Sequence, residues 1–77
     1  MIRLNIAKID ELRRKFNLSQ AELARRSDWT PRYFHRIWQE TKAGKVPGFN
    51  IKKLNGLCRT LHCRPMAILE YEPDPEE

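Results

Sequence analysis

Long hydrophobic runs are missing from this chain: nowhere do apolar residues continue for the roughly 18 to 20 positions a membrane-spanning helix needs. The opening Met1-Ile2-Arg3-Leu4-Asn5 carries no secretory pattern, so cytoplasmic residence is the expectation. Cysteine is scarce, with two in 77 residues, which excludes a disulfide framework. Cys58 and Cys63 both lie beside leucines and read as small buried thiols. His62 stands between them, so a zinc set of Cys58, His62 and Cys63 can be drawn. It lacks a fourth ligand and matches no known spacing, and no metal or other cofactor is expected. The three glycines form no phosphate-cradling loop. Neither His35 nor His62 has a carboxylate or nucleophile at a telling spacing. A chain this short also has little room for a cleft beside its core, so an enzyme is not expected.

Acidic charge is nearly absent from most of the sequence. All fifteen Lys and Arg lie at or before Arg64, against five acidic residues there, a formal +10. The other five acids fall in Glu70 to Glu77. So basic a body suits a polyanionic partner, with a merely solvated surface as the plainer alternative. The length gives one domain, here 1–72, followed by an acidic segment, 73–77. That segment is either solvated or folds back to compete for the basic face.

What the chain does contain is a series of helix starts. Ile6, Ile9, Leu12 and Phe16 fall at helical spacing behind a capping Asn5. Asn17 tolerates the left-handed conformation that ends helices. Ser19 and Glu22 form a capping box, and Leu18 and Leu23 a hydrophobic staple across it. A second helix therefore runs from Ser19 to about Arg26. Asp28 is the residue suited to positive φ in the following turn. Thr30 caps a third helix, Pro31 is pre-shaped for its first position, and Trp29 and Phe34 repeat the staple. Phe34, Ile37 and Trp38 face inward, and an Arg36–Glu40 pair at i,i+4 carries the helix to about Ala43. Asn50 caps a fourth, with Ile51, Leu54, Leu57, Cys58 and Leu61 as its buried stripe. Gly56 within it costs roughly 1 kcal/mol relative to Ala, a cost that close packing can offset. Pro65 opens a short fifth helix with Met66, Ile68 and Leu69. The result is an all-α, compact five-helix domain. Ile2-Arg3-Leu4 alternates like a strand and can pair with Leu69-Glu70-Tyr71-Glu72, within one chain or between two.

The segment Leu18-Ser19-Gln20-Ala21-Glu22-Leu23-Ala24 resembles helix 2 of the phage-repressor, or XRE-type, helix-turn-helix family. Ala24 sits where that family needs a small residue, and Phe34 and Ile37 occupy apolar positions of its recognition helix. The ending, with Leu57-Cys58, Cys63-Arg64-Pro65 and Leu69-Glu70-Tyr71, resembles a small-regulator branch. Asp28 replaces the usual turn glycine. Ala43-Gly44-Lys45-Val46 looks like a displaced helix ending, as if roughly four residues, about 6 Å of helix, were inserted.

The resemblance implies a sequence-specific regulator of transcription, with repression the expected sense, bound to double-stranded DNA as a homodimer. Its third helix, about residues 31–43, would enter the major groove. Thr30, Pro31, Arg32, His35, Arg36 and Gln39 are the base-reading candidates: arginine can fork to guanine O6 and N7, glutamine to adenine N6 and N7. Gln20, Tyr33, Lys42, Lys45, Lys52 and Lys53 are the phosphate candidates. The alternative is a protein-interaction or antitoxin-like module on the same fold, which exposed Trp29 and Trp38 would support. RNA binding is disfavoured, since aromatic platforms are not interleaved with the basic residues.

Overall fold

Each helix starts where a side chain can satisfy its first free N–H groups. The computed structural model describes residues 1–73. In it, α1 (Ile6–Lys15) is capped by Asn5, which accepts from the Lys8 N–H at 3.1 Å. At α2 (Gln20–Arg26), both hydrogen bonds of the Ser19–Glu22 capping box form, each 3.1 Å long. Thr30 caps α3 (Pro31–Lys42) by accepting from the Tyr33 N–H at 3.2 Å. Asn50 caps α4 (Ile51–Leu61) by accepting from the Lys53 N–H at 2.8 Å. Between helices, Asn17 (φ 57°) and Asp28 (φ 63°) take the left-handed conformation, as their short polar side chains allow.

The two ends pair within one chain. β1 (Ile2–Leu4) runs antiparallel to β2 (Leu69–Tyr71), with Ile2 opposite Tyr71, Arg3 opposite Glu70 and Leu4 opposite Leu69. Arg3 reinforces this ladder through Glu70 at 2.7 Å and Glu72 at 3.1 Å.

Three expectations are corrected. The fifth helix is a single 3-10 turn, Pro65–Ala67, which makes four α-helices rather than five among the described residues. Pro65 does preset that turn, but Leu69 is drawn into register with Leu4, and the Asn5 N–H donates to the Ile68 carbonyl at 2.8 Å. Strand pairing therefore wins over local helix propensity. Ile51 is 82% exposed and leaves the buried stripe of α4, because the first helical position lies beyond the core's edge. Phe16 is the C-cap of α1 and not part of its buried face. Its ring sits at the rim, 5.4 Å from that of His62.

Leu4, Ile9, Leu23, Ala24, Phe34, Ile37, Leu57, Leu61 and Ile68 make a core that admits almost no solvent. Full burial of one large apolar side chain is worth about 1.5–3 kcal/mol. Where α2 ends against α4 the two backbones approach closely. A Cβ on Gly56 would lie 2.1 Å from the Ser27 carbonyl oxygen, so only glycine fits. Beside it, Ser27 and Thr60 join their hydroxyls at 3.0 Å. Trp29 then locks the turn into α3: its ring meets Phe34 edge-on at 5.2 Å, and its indole N–H donates to the Lys53 carbonyl at 2.9 Å. These contacts fix how α3 leaves the body of the domain.

Candidate nucleic-acid interface

With Phe34, Ile37, Trp38 and Thr41 buried, helical periodicity turns Arg32, His35, Arg36 and Gln39 to the opposite side, where all four are exposed. Even the polar Thr41 is accounted for, since its hydroxyl donates to the Ile37 carbonyl at 2.8 Å. An open groove of about 590 Å³ follows the outer face. It brings together five of the six base-reading candidates, Thr30, Arg32, His35, Arg36 and Gln39, and adds Tyr33 and Glu40. Pro31 is exposed at the first helical position but does not line this groove.

The two arginines are held differently. Arg32 is exposed and makes no ion pair or ring contact among the described residues. Arg36 lies 5.2 Å from the Tyr33 ring, and its Nε is 3.6 Å from Glu40 Oε2. Tyr33 is half-buried, and its hydroxyl donates to the Gly48 carbonyl at 3.4 Å. One side chain thus supports a cation of α3 and ties down the loop before α4.

The remaining phosphate candidates form separate groups. Gln20 and Lys42 share a groove of about 470 Å³ with Asp10 and Arg14. Arg14 is not among the phosphate candidates that the family resemblance implies; the basic run Arg13-Arg14-Lys15 at the end of α1 is the sequence signal for it. Asp10 tempers this group by pairing with Arg13 at 2.6 Å and Arg14 at 3.0 Å. The Arg13 hydrogen bond, with help from nearby positive charge, holds the Asp10 carboxyl below the usual carboxylate range. Lys52 and Lys53 border a second groove with Asp28 and Asn50, of about 330 Å³. The Lys53 ammonium stands 5.2 Å from the Tyr33 ring and 5.5 Å from the Trp29 ring. Lys45 is exposed in the loop after α3, where its N–H donates to the Glu40 carbonyl at 3.0 Å.

Other features that bear on function lie elsewhere. Trp29 and Trp38 are 3% and 4% exposed, so neither offers the aromatic anchor on which the protein-docking alternative relied. Burial pushes the Cys58 thiol up to about 11, the state of an inert core thiol. No cluster of three or more metal-ligating side chains occurs among the described residues. No described helix is long and apolar enough to cross a membrane. The proposed competition by the acidic ending rests on Asp74 to Glu77, outside the described residues.

A capped helix pair joined by a tight turn, its second helix cationic on the outside, defines a helix-turn-helix DNA-binding class. The family model of the Cro/C1-type HTH DNA-binding domain matches residues 8–74, and the chain belongs to that family. It is a DNA-binding regulator of the XRE type. Comparison with curated proteins and with solved structures gave no match.

Proposed function

We propose that the chain is a repressor that selects its operator by laying α3 in the major groove of duplex DNA. The observation that carries this reading is the grouping of Thr30, Arg32, His35, Arg36 and Gln39 along one open groove. Arg32 is the principal base reader, since no other group engages its guanidinium among the described residues. Gln39 reads deeper in the groove, Thr30 combines capping with contact at the helix start, and Pro31 offers only apolar contact. Gln20 and Lys42, joined by Arg14, hold one stretch of backbone; Lys45, Lys52, Lys53 and Tyr33 serve another. These contacts set register, and α3 sets preference. Occupancy alone suffices to block transcription, which is why repression is the simplest output of so small a domain. Two copies related by a two-fold axis would read half-sites about 34 Å apart or a multiple of that.

Selection of bound sequences from a randomised duplex pool tests the reading, followed by titration at several salt concentrations. A symmetric motif and affinity falling steeply with salt are expected. Binding that ignores sequence and is insensitive to Arg32→Ala and Arg36→Ala would sink it.

A further inference from the structure

Among the described residues, Glu40 is the one carboxylate lining the groove that the proposed reading turns toward a polyanion. An acidic side chain there is repelled by phosphate and loses water on docking, unless it meets a donor. Its position limits what that donor can be. Glu40 stands one helical turn beyond Arg36, and the Arg36 Nε already faces its Oε2 at 3.6 Å. The Tyr33 ring, 5.2 Å from the guanidinium, supports Arg36 from the side. With Nε turned to the carboxylate, the terminal nitrogens of Arg36 keep free N–H groups, and the second oxygen of Glu40 remains free to accept.

A G·C pair shows a matching pattern in the major groove. Guanine presents two acceptors, N7 and O6, and the cytosine N4 amino donor lies beside them. The geometry points to Arg36 and Glu40 as one reading unit for a single G·C pair. Arg36 donates to guanine O6 and N7 while Glu40 accepts from the cytosine amino group. An A·T pair offers acceptor, donor, acceptor and so opposes the unit at two positions. Arg36 and Glu40 together carry no net charge, so the couple adds preference without adding to non-specific attraction. Arg32, by contrast, serves both. This inference rests on the placement of α3 proposed above and makes Glu40 a determinant of specificity.

The test uses the full chain and two variants, Glu40→Gln and Glu40→Ala. Each is first melted to confirm folding, then used in selection from the same randomised pool. Titrations follow on the wild-type motif and its single base-pair changes. In the wild type, exchanging one G·C pair for A·T should weaken binding roughly tenfold to a hundredfold. In Glu40→Ala that penalty should shrink to a few-fold at this position alone. In Glu40→Gln it should shrink less, because the amide oxygen can still accept from the cytosine amino group but no longer pairs as a charge with Arg36. In both, binding to random duplex stays level or rises. Variants that keep the wild-type penalty at every position would overturn the inference and leave the α3 reading standing. Variants that lose preference uniformly would also overturn it, because Glu40 would then act on the whole helix. A wild type without preference, or one whose preference survives Arg36→Ala and Arg32→Ala, would instead overturn the placement of α3 itself.

Discussion

The two faces of α3 are built from the same twelve residues but obey opposite rules. Inward, Phe34, Ile37 and Trp38 are held by shape: Phe34 meets both Trp29 and Trp38, at 5.2 and 5.5 Å between ring centres. Outward, Arg32, His35 and Gln39 are exposed and form no ion pair among the described residues. The inner face therefore determines where the helix sits, and the outer face is left free to determine what it touches. Substitutions on the two sides should separate cleanly into effects on stability and effects on binding.

The largest effect belongs to the inner side. Phe34→Ala should cost about 3–5 kcal/mol of stability, since it removes a ring from a sealed core and leaves a cavity. Denaturant unfolding would read this directly. Affinity measured on the fraction still folded should change far less. Next comes Gly56→Ala, on a different helix but at the crossing that supports α3. The new methyl cannot coexist with the Ser27 carbonyl at 2.1 Å, so α2 and α4 must move apart. Overpacking of this kind costs about 1–3 kcal/mol. A thermal melt that is unchanged in this variant would show the crossing to be looser than the geometry implies.

The outer side behaves the other way. Arg32→Ala should leave the unfolding transition within about 0.5 kcal/mol of wild type, as surface changes usually do. It should weaken binding to the selected duplex by about 1–3 kcal/mol if Arg32 reads a base. Equal losses on the selected and on random duplex would assign Arg32 to the backbone and shift the burden of preference to Arg36, Glu40 and Gln39.

The same division explains how much was legible in the sequence. Helix starts were legible because capping is local: Asn5, Ser19 with Glu22, Thr30 with Pro31, and Asn50 each satisfy an N–H three residues away. The division of α3 into two faces, with Trp38 on the inner one, followed from periodicity alone, and the place of Trp29 from its staple with Phe34. Contacts between distant segments were legible only in outline: the pairing of Ile2-Arg3-Leu4 with Leu69-Glu70-Tyr71 could be drawn, but not that it would prevail over helix or that it would form within one chain. Whether the residues after Pro65 continue as helix depends on Leu4, which pairs with Leu69 from the far end of the chain. Ile51 fits the periodic stripe of α4, yet no element covers the place where it points. The candidate site divides along the same line. Its members on α3 could be named one by one. The support of Arg36 by Tyr33, and of Tyr33 by the Gly48 carbonyl, required knowing where the loop before α4 comes to rest.

The smallest effect is a pH dependence at the edge of the candidate interface, and it couples the two kinds of behaviour. Asp10 accepts from Arg13 and pairs with Arg14, and those cations hold its carboxyl below the usual range. A carboxylate whose folded pKa is depressed adds stability that is fully present above its unfolded value, about 3.9. That contribution disappears as pH falls through the lower, folded value. The stability gap between wild type and Asp10→Asn should therefore be constant above about pH 5 and close progressively below about pH 4. Urea unfolding across pH 3 to 7 would measure it. At neutral pH the same variant frees Arg14 beside Gln20 and Lys42, so its affinity for duplex should rise as its stability falls. If affinity falls as well, the groove between α1 and α3 holds no phosphate, and Asp10 serves only to hold Arg13 against the Leu18 carbonyl, 2.8 Å away.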